Sequence, residues 1–222
     1  MPEPVIRVMV VDDQPLFASG LAMLIDAQPD MECAGTAGDG AQAVELAARL
    51  RPDVVLMDLR MPGVNGVEAT SLILSAGKAD EPPRVIALTT LRQDAVVVQA
   101  LAAGASAFLT KDATPAQVLG TVRDVHEGGA VPDLAATLAL VADLGGPIVD
   151  SRRTATLDAL SPREREVFLL VARGLTNAEI AESVYVSLAT VKTHLAAILR
   201  KLELRSRVQV VVYAHQNGLV TA

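Results

Sequence analysis

Five times within the first 128 residues a short apolar run gives way to a stretch with helical spacing, and this alternation restricts the fold more than any other feature of the chain. Residues 5–11 are an apolar run closed by Asp12 and Asp13, and residues 15–28 then place Leu16, Leu21, Leu24 and Ile25 on one helical stripe. A weaker run at 31–35 precedes an Ala-rich helix at 42–50, and the run at 53–58 precedes a helix over about 66–75. Residues 84–89 and 105–109 are the fourth and fifth runs. Their helices cover 94–103 and the segment opened by Thr114 and Pro115, a cap followed by a first-turn proline. Continuous apolar runs, rather than alternating ones, mark strands buried on both faces, as in a parallel sheet. The pattern predicts an α/β fold, a doubly wound five-stranded parallel sheet with helices on both faces.

The chain has 222 residues, enough for one large or two small domains with real cores. Half of it is apolar, yet no run reaches the eighteen uncharged residues of a membrane span, and the first residues lack the pattern of a signal peptide. Cys33 is the single cysteine, which excludes an internal disulfide and a cysteine-based zinc site. A cytoplasmic protein with no membrane partner is the expectation. Tryptophan is absent and aromatics are few, which disfavours stacking surfaces for sugars or single strands. The net charge of −7 is unevenly spread. Residues 1–128 hold 9 Lys/Arg against 17 Asp/Glu, whereas residues 160–222 hold 8 against 5. An acidic block beside a mildly basic one predicts different partners, nucleic acid for the second.

In an open α/β sheet, ligands bind beyond the carboxyl ends of the strands. Asp58 ends the third strand, and Pro62 and Gly63 turn the chain away from it. Alone, such an Asp most often caps a turn. Asp12 and Asp13 end strand one, Thr89 ends strand four and Lys111 follows strand five, all on the same edge if the strands are parallel. Three converging carboxylates repel one another, and a divalent cation with hard oxygen ligands, Mg²⁺, relieves this. The same cation and the Lys111 ammonium can neutralise a phosphoryl group on Asp58, with the Thr89 hydroxyl as a donor to it. Taken singly, Lys111 reads as a solvated lysine and Thr89 as an ordinary strand-end hydroxyl. Their coincidence at matching strand ends carries the reading.

The stretches VMVVDDQ, VVLMDLRMPGVNGVEA, VIALTT and GASAFLTKD resemble the receiver domain of two-component response regulators, a flavodoxin-like fold. The resemblance implies that Asp58 accepts phosphate from a sensor histidine kinase, with Thr89 and Lys111 assisting. It implies that Asp13 is the direct metal ligand and that Asp12 assists through water. Phe108 matches the family's aromatic switch position; a plain core aromatic is the equally weighted alternative.

Residues 129–156 read as a linker, stopped by Gly128-Gly129 and broken again at Gly145-Gly146-Pro147. Between them, residues 132–144 have helical spacing, with Leu134, Leu138 and Val141 on one face of a packed helix or an exposed connector. The remainder, 157–222, is all-α. Ser161 to Glu164 and Thr176 to Glu179 are capping boxes, Ser187 caps a third helix over 188–202, and Ser206 caps a fourth. The turn Tyr185-Val186-Ser187 joins the second and third helices into a helix-turn-helix. On the third helix, Val191, Leu195, Ile198, Leu199 and Leu202 form the buried stripe. Thr190, Lys192, Thr193, Ala196, Arg200 and Lys201 form the opposite face. That face suits a major groove, where Lys reaches guanine acceptors and Thr touches a thymine methyl; a solvated face is the bland alternative.

The stretch LSPREREVFLLVARGLTNAEIAESVYVSLATVKTHLAAILRKL resembles the LuxR-type DNA-binding domain, so that the whole chain resembles the NarL/FixJ class of response regulators. Lys192 and Thr193 keep the usual character of base-reading positions, while Ala196 is shorter than the residue some relatives carry there. His194 is expected against backbone phosphate or at an interface rather than on a metal, and Arg200 and Lys201 against phosphate. Val208, Val211, Val212 and His215 on the last helix are the expected dimer surface, with a plain core role as the alternative. The reading is a phosphorylation-controlled transcription regulator that binds a double-stranded DNA operator as a homodimer on activation. It is not an enzyme beyond self-phosphorylation and self-dephosphorylation at Asp58. Two other readings are weaker. An Asp-nucleophile phosphatase of the haloacid-dehalogenase type carries a second acid two residues after the nucleophile, where this chain has Arg60. A regulator controlled by a small ligand would not need the five-position acidic site.

Overall fold

The computed structural model describes residues 5–76, 82–90, 95–129, 137–139 and 157–220. The N-terminal unit runs β1 (Ile6–Val11), α1 (Pro15–Asp26), β2 (Met31–Ala37), α2 (Gly40–Leu50), β3 (Val54–Asp58), α3 (Gly66–Ala76), β4 (Arg84–Thr89), α4 (Ala95–Ala103), β5 (Ala107–Thr110) and α5 (Pro115–Glu127). All four pairings are parallel, in the order β2-β1-β3-β4-β5. The order reverses between β1 and β3, which opens a crevice at their carboxyl ends.

The sheet is buried on both faces, as continuous apolar strands require. Ile6, Val8, Val10, Leu56 and Ile86 face α1 and α5, and Met9, Val11, Val55, Met57 and Val85 face α2 and α3. Two strand bounds differ from the sequence reading by two residues, and the others by one at most. β2 extends to Ala37 because a register shift after Val8, pairing Val8 with Cys33 and Met9 with Gly35, lets it follow β1 to its end. β5 starts at Ala107 because the Ala105 N–H is donated to Ala100 O, which makes Ala105 part of the C-terminal cap of α4. Thr114 and Gln117 form a reciprocal capping box at the start of α5. The segment predicted over 132–144 lies outside the described residues except 137–139, which are helical with Leu138 against the core.

The C-terminal unit opens with a short 3₁₀ turn (Leu157–Ala159) and continues through α6 (Pro162–Ala172), α7 (Asn177–Ser183), α8 (Leu188–Lys201) and α9 (Arg207–Gln216). Ser161, Thr176, Ser187 and Ser206 each accept a backbone N–H three residues on, as read from the sequence. Val191, Leu195 and Ile198 of α8 are buried against this domain's core, and Phe168 meets Tyr213 edge to face at 6.2 Å.

The two units share one apolar cluster. Val97, Val98 and Leu101 of α4 join Phe168, Val208, Val211 and Val212 without a break. Residues 207–214 of α9 are therefore buried on every side, between α6 of their own domain and α4 of the sheet domain.

Candidate functional site

Asp58 reaches the edge because β3 ends on it and α3 starts against it. Gly66 makes this possible, since a Cβ there would lie 2.0 Å from Asp58 O. Asn65 caps α3 by accepting the N–H groups of Val67 and Glu68, each at 3.0 Å. Carboxylate oxygens of Asp12, Asp13 and Asp58 lie within 4.8 Å of one another. Asp12 and Asp58 are buried, while Asp13 is exposed at the mouth.

Lys111 spans the cluster. Its ammonium is 2.7 Å from Asp12 Oδ2 and 2.8 Å from Asp58 Oδ2, and it sits 5.0 Å over the Phe17 ring. The Lys111 N–H bonds to Thr89 O at 2.7 Å, which ties β5 to the end of β4 and places buried Thr89 at the same edge. Burial pushes the Asp58 carboxyl above its ordinary range, against the Lys111 hydrogen bond and the Arg60 N–H, which pull it down. Burial lowers Lys111, yet its bonds to Asp12 and Asp58 carry it above its ordinary value. The donor set is hard oxygen, and three carboxylates share the single Lys111 ammonium, so the cluster fits a divalent cation such as Mg²⁺. Phe108 is partly buried and packs against the cluster that α4 shares with the C-terminal unit.

On α8 the predicted polar face is open. Lys192, Thr193, Ala196, Arg200 and Lys201 are exposed, and His194 is half-buried. Three of its residues have local duties that the sequence did not reveal, the first being Thr193, whose hydroxyl donates to Ala189 O at 3.0 Å. The Thr190 hydroxyl lies 2.8 Å from Ser187 Oγ within the cap of α8. Lys201 donates to Glu164 Oε2 at 2.6 Å, locking the end of α8 to the capping box of α6. The Lys201 bond and the Ser161 N–H hold the Glu164 carboxyl down to about 2. A carboxyl held below its unfolded value stabilises the fold at neutral pH, and that stabilisation vanishes as pH falls from about 4.5 through about 2. Glu164→Gln is expected to cost about 1 kcal/mol at pH 7 and progressively less toward pH 2. Denaturant unfolding across that pH range checks it, and a pH-independent difference would contradict it.

The expected dimer surface is covered within this chain. Val208, Val211 and Val212 are 1 %, 0 % and 1 % exposed, and only His215 is partly open. The reason is a contact invisible to helical periodicity: the first turn of α9 caps two helices of the sheet domain. Gln209 Nε2 donates to Leu101 O and Ala102 O at 2.9 Å, and Arg205 Nη1 donates to Ala103 O at 3.3 Å, at the carboxyl end of α4. At the end of α5, Asn177 donates its N–H to Gly128 O and its Nδ2 to Glu127 O, each at 3.2 Å, and Arg207 Nη1 donates to Gly128 O at 3.3 Å. A Cβ on Gly128, whose φ is +76°, would lie 2.1 Å from Asn177 Nδ2, so only glycine permits this approach. Arg207 is buried, bonds to Asn177 Oδ1 and to Leu175 O, and is pushed down to about 10 by burial. Its charge is offset by carbonyl oxygens at a helix carboxyl end rather than by a bonded carboxylate.

The parallel sheet with an acid–lysine edge, joined to a helix-turn-helix, defines a signal-receiving DNA-binding protein, and similarity to known proteins agrees. Residues 8–123 match the response regulator receiver domain family, and residues 158–214 match the luxR family of bacterial regulatory proteins. The chain is 39% identical over 220 residues to the transcriptional regulatory protein LiaR of Bacillus subtilis, covering 97% of this chain and 99% of that one. It is 34% identical over 212 residues to the nitrate/nitrite response regulator protein NarL of Escherichia coli, covering 96% of each. Among solved structures, the response regulator ChrA of a heme-sensing two-component system aligns at a TM-score of 0.52 with 32% identity, over 97% of this chain and 99% of that one. The chain belongs to the two-component response regulators of the NarL/FixJ class, transcription regulators that join a receiver to a LuxR-type helix-turn-helix. No helix among the described residues is long and apolar enough to cross a membrane.

Proposed function

We propose that this response regulator works in the cytoplasm, takes a phosphoryl group on Asp58 from a sensor histidine kinase, and then binds an operator as a dimer. The observation that carries the proposal is the shared cluster: Leu59, next to Asp58, and Ala87 belong to it, Phe108 packs against it, and it continues through α4 into α9. A change at the acidic edge thus has a packed route to the DNA-binding domain.

Asp12, Asp13 and Asp58 hold Mg²⁺ in this reading. When bound, the ion supplies positive charge that offsets the added phosphoryl oxygens. An Asp58 carboxylate oxygen forms the O–P bond as the N–P bond of the donor phosphohistidine breaks. The Lys111 ammonium, already 2.8 Å from Asp58 Oδ2, follows the new anion, and the Thr89 hydroxyl donates to it. Phe108 then moves with Thr89 and disturbs α4. The α1 helix that starts at this edge exposes Leu16 (89 %) and Met23 (74 %) two turns apart on one side, an apolar pair on which the kinase seats.

The recognition face of α8 is open and α9 is covered, so phosphorylation acts by freeing α9 rather than by unmasking α8. The side of α9 that α4 covers becomes the dimer face, and two copies on adjacent half-sites gain avidity. Sedimentation and operator titration of the full chain, with and without beryllofluoride, test this. A dimer and a roughly 5- to 150-fold affinity gain are expected; unchanged mass and affinity with Asp58 demonstrably modified would refute it.

Within the DNA face, Lys192→Ala is expected to lose discrimination between operator and random duplex. Arg200→Ala should weaken both about equally and flatten the salt dependence by about one counterion. Equal losses for Lys192→Ala on both DNAs would move it to the phosphate-contacting class.

A further inference from the structure

Large apolar side chains are rarely left open on the described C-terminal unit. Only Tyr185, 94 % exposed, and Leu188, 48 % exposed, stand out there among the described residues. They lie three positions apart at one place, the turn into α8 and its first residue. Tyr185 keeps φ at +55°, and Leu188 follows directly on the Ser187 cap. Neither belongs to the core cluster of the domain.

Leu188 is also aligned with the face assigned to DNA. In a helix, positions i, i+4 and i+8 stack along one side, so Leu188, Lys192 and Ala196 form one exposed row. Ala189, exposed beside Leu188, adds little bulk and lets this end approach a groove floor closely. A branched apolar side chain at that place can accept no base hydrogen bond and loses water favourably only against an apolar group. In the major groove that group is the thymine 5-methyl.

We infer that Leu188 is a specificity-determining residue of this regulator, reading the 5-methyl of a thymine one helical turn ahead of the base read by Lys192. Four residues of helix span about 6 Å, so the thymine lies roughly two base pairs from the Lys192 position in each half-site. The inference rests on the DNA-binding reading of α8, and the test separates the two.

A random-sequence duplex pool is enriched on the full chain activated with beryllofluoride and Mg²⁺, and the enriched duplex is remade with deoxyuridine replacing each thymine in turn, which removes only the methyl. Wild type is expected to lose about fourfold in affinity per half-site at one thymine, the worth of one buried methyl, with little change elsewhere. Leu188→Ser, exposed at the first helical position where the fold does not need leucine, is expected to bind with no preference between thymine and uracil there. Wild type indifferent to every replacement, or Leu188→Ser as sensitive as wild type, would overturn the assignment while leaving DNA binding intact. Failure of the pool to enrich at all would instead refute the DNA-binding reading.

Discussion

Asp58→Asn is expected to abolish phosphate incorporation from a small phosphodonor in the presence of Mg²⁺, and with it every phosphate-dependent gain in operator affinity. Asparagine keeps the shape and can still accept the Lys111 hydrogen bond now at 2.8 Å, so the fold should survive. What it lacks is the anionic oxygen that forms the O–P bond. Chelation of divalent cations should abolish incorporation in wild type as well, because the carboxylates of Asp12, Asp13 and Asp58, within 4.8 Å of one another, do not tolerate further negative charge uncompensated. Asp13→Ala, at an exposed position, should weaken Mg²⁺ binding and slow incorporation without unfolding the sheet. Radiolabel or mass measurement decides the matter. Label retained by Asp58→Asn, or incorporation indifferent to chelation, would remove Asp58 and the metal from the account.

Gln209→Glu should have the second largest effect, at a site nearly as buried as Asp58. The Gln209 amide donates to Leu101 O and Ala102 O while its Oε1 accepts the Arg205 N–H at 2.8 Å. Glutamate keeps that last bond, and so the start of α9, but presents an anion to the negative end of α4. Two hydrogen bonds are lost and a repulsion is added, about 2–3 kcal/mol, or roughly 30- to 150-fold in favour of opening. The unphosphorylated variant should sediment as a dimer at concentrations where wild type is a monomer, and bind operator accordingly. A monomer with wild-type affinity would show that the α4–α9 contact does not restrain the chain.

Asp12, Asp58, Thr89 and Lys111 were legible from the sequence because each stands where a buried strand must surface, and parallel strands bring their ends to one edge. The caps at Ser161, Thr176, Ser187 and Ser206 were legible for a similarly local reason: a helix start must satisfy its own N–H groups within three residues. Arg205, Arg207 and Gln209 were not. Their partners are carbonyls about eighty to one hundred residues away, and a polar residue in a valine-rich helix carries no mark of which distant helix end it caps. Asn177 read only as the first residue of α7, and Lys201 read as a phosphate contact until Glu164 appeared beside it.

The sequence by itself determined the parallel sheet, the acidic edge and the helix-turn-helix, since each follows from periodicity, strand-end chemistry and capping that act over a few residues. Only the tertiary structure decided that the recognition face of α8 is open while Val208, Val211 and Val212 are closed. An apolar helix face must be covered by something, but its composition does not say whether a second copy, its own domain or the receiver covers it. Here it is α6 and α4, because the α4 and α5 carboxyl ends offer carbonyls with free acceptor capacity at the spacing where Gln209, Arg205, Arg207 and Asn177 have donors to give.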